Sequence, residues 1–305
     1  MKSKILFILH LPPPVHGSSM VGQYIKDSEI INTSFETNYI NLSTSKTVNE
    51  IGKKPFVKVS RYVKILFQVI ISLIKHNPKI VYLAITAKGV GFYKDFPIVL
   101  ITKLFSKKLV LHYHNKGVCK NQHRPFDNLL YHILFKNTKI ILLSERLYED
   151  VSKYVKNEDV FFCPNGIQVI NSEEKISPTN NSVPQILFLS NLIASKGVYE
   201  LLDALKILND NNVKFHCNFV GGEGDISLSQ LNQKINILNL QEYVTYLGKK
   251  YGADKYKIFQ LSDIFVFPTF YHNECFPLVL LEAMQFELPI ISSNEGGIPD
   301  IVKDS

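Results

Sequence analysis

The chain of 305 residues has no tryptophan, three methionines and four cysteines. The cysteines, Cys119, Cys163, Cys217 and Cys275, lie far apart, form no Cys-x-x-Cys pair and have no histidines at ligand spacing. That pattern argues against a zinc module or a disulfide framework and points to a reducing compartment. Long apolar runs are missing too. The greasiest segment, Ile65 to Ile74, is broken by Gln68 and Ser72 and falls well short of the roughly 20 residues a membrane span needs. The first apolar run, Lys4 to Leu9, is too short for a signal peptide and lacks a small-residue cleavage site. Low-complexity tracts and internal repeats are absent, as is any Asp-x-Asp motif. These absences favour a cytoplasmic globular protein.

Acidic residues are scarce in the first half. Residues 1–180 carry 25 Lys/Arg against 13 Asp/Glu, a balance of +12, whereas residues 181–305 carry 9 against 14, a balance of −5. Blocks at Lys53-Lys54, Lys107-Lys108 and Lys116 to Arg124 make the first half basic. General solubility accounts for part of this. The sharper expectation is a peripheral contact with an anionic surface, such as the inner face of a cell membrane or a lipid-linked diphosphate. No nucleic-acid-binding motif accompanies the charge.

What is present is alternation. Short apolar runs at Ile5–Leu9, Ile80–Leu83, Leu109–His112, Ile140–Leu143 and Val160–Cys163 predict strands. A second series follows at Ile186–Leu189, Phe215–Val220, Val244–Leu247, Ile264–Phe267 and Pro289–Ser292. Helical patterns lie between them at Arg61–Lys75, Arg146–Val155, Val198–Asn209 and Leu228–Leu238. Continuous apolar strands alternating with helices predict parallel sheets covered on both faces. The stretch Gln168 to Pro184 has no apolar period and reads as a linker. The expected organisation is therefore α/β: a domain over 1–168, a linker over 169–184 and a second domain over 185–305. Two doubly wound domains facing a cleft would place sites on loops at the carboxyl ends of their strands.

The most informative such loop runs from Phe267-Pro268 through Glu274-Cys275-Phe276-Pro277-Leu278 to Glu282-Ala283-Met284. Pro277 suits the first turn of a helix, with Glu274 just ahead of it and Glu282 inside. N–H groups of the turn around Phe276, Leu278 and Val279 would form an anion site fit for a diphosphate. Two carboxylates beside such a site suit hydroxyl-rich groups on either side of a pyrophosphate. The plainer alternative is a capping Glu274 and a Glu282 paired with a lysine.

Glu-x7-Glu with Phe-Pro-Leu and Leu-Glu-Ala-Met around the acids resembles the donor-binding signature of retaining GT-B glycosyltransferases of the family 4 type, the glycosyl transferases group 1. Leu187-Phe188-Leu189-Ser190-Asn191, Ser195-Lys196-Gly197, Val220 to Gly224, Asn294 to Asp300 and Pro164-Asn165-Gly166-Ile167 also resemble that family's segments. The likeness is specific over 186–302 and looser before.

The resemblance implies two Rossmann-like domains and a nucleotide-sugar co-substrate, UDP- or GDP-linked, with no other cofactor and no metal. It implies that Lys196 neutralises the leaving diphosphate, Glu282 binds ribose hydroxyls and Glu274 holds the donor sugar, with Phe276, Pro277 and Leu278 at the donor. His114, or His112 as the fallback, would lie near the reacting carbon. Gly17 and Ser18, after the loop Leu11-Pro12-Pro13-Pro14, would approach the donor phosphates. The implied reaction is front-side transfer with retention to a glycan or lipid-linked glycan, in surface polysaccharide of O-antigen or capsule type. Asn191 stands in the donor site where the family usually has arginine, which predicts a weaker phosphate grip. Glu287 stands where it prefers glycine at a helix end. The family's usual further elements after Ile301 predict a second domain that is truncated or closed with fewer strands. An inactive nucleotide-sugar binder and a sugar epimerase or phosphorylase of the same architecture are the alternatives.

Overall fold

The computed structural model describes residues 2–44, 55–170 and 181–303, with side chains in the second segment described from residue 58 onward. The chain divides into two units, Met1–Gly166 and Ile167–Ser305. Most of the expected linker, residues 171–180, lies outside the described residues.

Unit 1 runs β1 (Lys4–Leu9), α1 (Gly17–Asp27), α2 (Glu29–Ser34), β2 (Glu36–Asn41), α3 (Pro55–Lys75), β3 (Ile80–Ile85) and α4 (Gly89–Leu104). It continues with β4 (Lys108–Tyr113), α5 (Val118–Asn121), α6 (Pro125–Phe135), β5 (Thr138–Leu142) and β6 (Val160–Phe162). The strands form one sheet in the order β2-β1-β3-β4-β5-β6, every pair parallel. β1 is buried along nearly its whole length, as the unbroken Ile-Leu-Phe-Ile-Leu run requires of a strand covered on both faces.

Two elements depart from expectation. β2 was not predicted: Glu36-Thr37-Asn38-Tyr39 is polar because an edge strand is half solvated, so it carries no apolar run. The helix expected over Arg146–Val155 is instead a short 3-10 helix over Glu145–Asp150 followed by turns. Asp150 explains the stop. Its carboxylate accepts from the N–H groups of Gly117 (2.8 Å), Val118 (3.1 Å) and Cys119 (3.0 Å), capping α5 from another part of the chain.

Unit 2 runs β7 (Gln185–Leu189), α7 (Val198–Asp210), β8 (His216–Val220), α8 (Leu228–Ile237), β9 (Val244–Gly248) and α9 (Gly252–Gln260). It closes with β10 (Ile264–Phe267), α10 (Leu278–Gln285), β11 (Ile290–Ser292) and α11 (Ile298–Ile301). Its parallel sheet has the order β11-β10-β7-β8-β9. From β7 the chain winds outward through β8 and β9, then crosses back to β10 on the other side of β7. The winding reverses between β7 and β10, so the loops after these two strands flank the position where doubly wound sheets take ligands. Phe188, Phe219, Phe265 and Phe267 fill the core beneath those loops.

Candidate functional site

The loops after β7 and β10 are fastened to each other. The Phe270 N–H donates to the Ser195 carbonyl at 2.8 Å, and the Thr269 hydroxyl reaches the same oxygen at 3.3 Å. Gly197, between the short turn Ala194–Lys196 and α7, has φ +86°, and a Cβ there would lie 2.3 Å from the Pro268 carbonyl oxygen. Only glycine permits that approach, which sets the position of Lys196. The loop after β11 joins the other two: Gly297 N–H donates to the Cys275 carbonyl at 2.7 Å, and a Cβ on Gly296 would strike the Glu274 carbonyl oxygen.

At this junction the Lys196 ammonium meets the Glu274 carboxylate. Both side chains are nearly buried, 14% and 10% exposed. The ammonium also lies over the rings of Tyr271 (4.6 Å) and Phe267 (5.3 Å), which favours the cation further. Glu274 is thus no helix cap: Pro277 caps α10 without a side-chain bond. Phe276 and Pro277 are buried, and Leu278 opens α10, where the first N–H groups of a helix have no partner within it.

Glu282 lies inside α10, and its carboxylate accepts from Lys255 of α9 at 2.6 Å, the two side chains 14% and 19% exposed. The plainer sequence reading of Glu282, a carboxylate paired with a lysine, is the arrangement the chain adopts. Lys255 was missed because the Tyr251–Gln260 stretch shows no clear apolar period to mark α9. Asn191 spends its side-chain oxygen on the Gly222 N–H at 3.2 Å, holding the glycine turn after β8. Gly221 in that turn, at φ +152°, packs so tightly on Ser190 that a Cβ would lie 1.8 Å from its carbonyl oxygen. Lys249, from the segment after β9, covers Gly222. Thus Lys196, Glu274, Phe276, Pro277, Leu278, Glu282 and Asn191 all sit on the carboxyl-end loops of one sheet or on α10.

The remaining predicted residues belong to unit 1. Gly17 and Ser18 are the first two residues of α1 rather than loop residues, and His16 is its cap. His16 Nδ1 accepts from the Ser19 N–H (3.3 Å) while the Ser19 hydroxyl accepts from the His16 N–H (2.9 Å). Gly17 has open space around it, whereas Gly22 is essential, because a Cβ there would lie 2.1 Å from the His10 carbonyl oxygen. His114 follows β4, its Nδ1 sealed from solvent without a hydrogen-bond partner. Its ring lies 4.1 Å from that of His112, and His112 Nδ1 shares a short hydrogen bond with the Tyr82 hydroxyl. His10 and His16, with rings 6.0 Å apart, gather at the end of β1. Burial, with His10 and His16 adding repulsion, pulls His114 down to about 3. Burial likewise pulls His10 down to about 3, with Lys94 and His16 contributing. At neutral pH these imidazoles are uncharged hydrogen-bonding groups. Sequence reading singled out His114 and His112 but not His10 or His16, since isolated histidines give no signal of convergence.

Residues 169–305 match the family model described as Glycosyl transferases group 1. An uncharacterised glycosyltransferase of Methanocaldococcus jannaschii is 29% identical over 201 residues, 61% of this chain and 50% of that protein. The amylovoran biosynthesis glycosyltransferase AmsK of Erwinia amylovora is 24% identical over 207 residues, 66% of this chain and 50% of the relative. The chain thus spans about half the length of these curated relatives. Among solved structures, Anabaena HepE in complex with UDP and glucose superimposes with a TM-score of 0.69 at 17% identity, covering 99% of this chain and 83% of that one. The fold is the GT-B architecture of two parallel-sheet units, and the second unit is the part that matches the group 1 glycosyltransferase model.

Proposed function

We propose that this chain transfers a sugar from a nucleotide-diphosphate donor, UDP-linked in the first instance, to a glycan or lipid-linked glycan of a surface polysaccharide. The observation that carries the reading is the Lys196–Glu274 pair at the reversal point between β7 and β10. A diphosphate at that point takes the Lys196 ammonium as its counter-charge, and fixed positive charge on a departing phosphate lowers the barrier by several kcal/mol. Glu274, released from Lys196, accepts from hydroxyls of the donor sugar. Glu282 accepts from the ribose hydroxyls, and the amides at the start of α10 add donors to the phosphates. Lys196 and these amides supply the charge that a divalent metal would otherwise bring, so transfer proceeds without one. Retention of configuration follows the family resemblance. In unit 1, Gly17 and Ser18 at the start of α1 are assigned to the donor phosphates and His114 to the transfer step. The complex of HepE with UDP and glucose and the amylovoran role in the name of AmsK support the donor class and the pathway class.

A second reading, nucleotide-sugar binding without transfer, is favoured by Asn191, which is engaged with Gly222 and brings no charge. Incubation with a panel of UDP- and GDP-sugars separates the two: acceptor-dependent nucleotide release supports transfer, and binding without release supports the second. Interconversion of free donor would replace both with an epimerase. Glu282→Ala should weaken donor binding about 10- to 100-fold, the scale of losing hydrogen bonds to a charged acceptor. Unchanged affinity would sink the site assignment.

A further inference from the structure

Unit 1 has a face that none of these assignments uses. α3, α4 and α6 lie side by side, and their inner faces cover the sheet through residues such as Ile65, Val69, Phe92, Val99, Leu130 and Leu134. Their outer faces are apolar as well. On α3, Val63, Phe67, Ile71 and Ile74 recur every three or four residues and all are exposed, Phe67 by 61%. α4 adds Leu100 and Leu104, the latter 82% exposed, and α6 adds Phe126, Leu129 and Ile133. Three adjacent helices with outward apolar stripes make a continuous patch of the kind soluble surfaces avoid unless something covers it.

Where α4 and α6 end, a cavity of about 630 Å³ opens beside this patch, lined by Lys103, Lys107, Lys108 and Lys136 together with Ile133 and Asn137. Among the described residues no acidic side chain lines it. Lys103 Nζ bonds the Lys136 carbonyl and the Thr138 hydroxyl, and Lys107 bonds the Asn77 side chain, so the walls of the cavity are held in place. Burial, with repulsion from Lys136, holds the Lys103 ammonium below the usual lysine range. Cations near helix C-termini answer the carbonyl dipole there, which accounts for Lys103 and Lys136. It does not account for Lys107 and Lys108 joining them, nor for Leu104 and Phe105 left exposed alongside. The cavity lies at the amino end of β4 and β5, about 20 Å along the strand from His114.

We propose that this face docks on a bilayer containing anionic phospholipid, the lysine cavity taking a headgroup phosphate while the α3, α4 and α6 stripes enter the interfacial region. Charge and geometry select that occupant. Apolar residues spread over three parallel helices fit a layer of hydrocarbon, and a cluster of ammonium groups at their edge fits the phosphate level of the same layer. A small anion in solution would need the lysines and gain nothing from Phe67, Ile71 or Leu104.

The test is flotation of the full chain with vesicles of phosphatidylcholine, pure or with about one-third phosphatidylglycerol, without any sugar donor. The outcome is thereby independent of the transfer activity. Binding is expected only to the anionic vesicles. Each lysine near such a surface is worth about fivefold in partitioning, so Lys107→Gln, Lys108→Gln and Lys136→Gln together should weaken binding by about a hundredfold. Phe67→Ser with Leu104→Ser should weaken it at unchanged charge; all five sites are on the surface of unit 1, and a circular-dichroism melt checks folding. Equal binding to neutral vesicles, or a triple variant that partitions like the parent, overturns the proposal. So does failure to bind anionic vesicles, whether the parent binds inorganic phosphate through the lysines or self-associates through Phe67 and Leu104.

Discussion

Replacing Lys196 by methionine removes one charge from a nearly buried pair and keeps most of the stem that packs near Phe267 and Tyr271. The Glu274 carboxylate is then left in a site 10% exposed with no cation against it. Removing one partner of a buried pair costs about 3–5 kcal/mol, and because these side chains retain slight access to water, about 3 kcal/mol is expected here. Glu274→Gln is milder, about 1–2 kcal/mol, because the amide oxygen still accepts from the ammonium and the two rings still face it. The double variant carries neither charge and should recover part of the loss, ending more stable than Lys196→Met alone. The coupling between the sites is then about 2 kcal/mol. Urea unfolding followed by circular dichroism measures it, since the chain has no tryptophan to report by fluorescence. Fits must allow each unit its own transition, the loss falling in that of unit 2. Saturating nucleotide-sugar at about 100 times its Kd should add about 2.7 kcal/mol to the parent and little to Lys196→Met. A Lys196→Met variant within about 0.5 kcal/mol of the parent, or a double variant equal to the sum of the singles, would refute the pairing as an energetic unit.

Glu287 sits at φ +60° just past α10, where its N–H and that of Leu288 bond back to the Met284 and Ala283 carbonyls in a helix-ending turn. Glu287→Gly should relieve about 1–2 kcal/mol of left-handed strain against about 0.4–1 kcal/mol of extra unfolded-state freedom. The melting temperature should rise by about 1–3 °C, and a fall would show that contacts of the Glu287 side chain outweigh the strain. His10 and His114 are each held down to about 3 in the folded state, below the value of 6.5 expected when unfolded. The unfolded chain therefore takes up protons first on acidification, and stability present above about pH 6.5 is lost as pH falls toward 3. Between pH 7.5 and 5.5 each histidine should cost about 1.4 kcal/mol, read as a falling melting temperature of unit 1, and His10→Asn with His114→Asn should flatten the slope. A melting temperature of unit 1 that is the same at both pH values would contradict the burial of these rings.

The parallel sheets were legible because burial on both faces writes itself as unbroken apolar runs: Ile-Leu-Phe-Ile-Leu in β1 and Ile-Phe-Val-Phe in β10 can hardly be anything else. β2 was illegible for the converse reason, its edge position allowing Glu36, Thr37 and Asn38 to face water. The Arg146–Val155 pattern misled because Asp150 answers to the distant amides of Gly117, Val118 and Cys119, a tertiary demand that local periodicity does not contain.

The candidate site shows the same division at finer grain. Glu274 and Glu282 stood out because acids amid Phe276, Pro277, Leu280 and Leu281 demand a reason, yet what each carboxylate meets depends on the winding of the sheet. The loop after β7 reaches Glu274 because β10 lies directly beside β7, 77 residues away at Ile264–Phe267 when counted from Leu187 to Ile264. Lys255 reaches Glu282 because α9 and α10 flank β10 in the chain. Both acids are therefore paired with a lysine, and neither is held as a strained, unpaired charge. Under the proposed function, donor binding is an exchange of partners. A diphosphate at the proposed site would draw Lys196 from Glu274, and sugar hydroxyls would replace the ammonium at the freed carboxylate. Such an exchange trades one ion pair for a phosphate contact at Lys196 and a hydroxyl contact at Glu274, so its free energy depends on how well both are oriented. On that proposal, discrimination between sugars would fall at Glu274, where a hydroxyl in the wrong orientation would leave a nearly buried carboxylate without a partner.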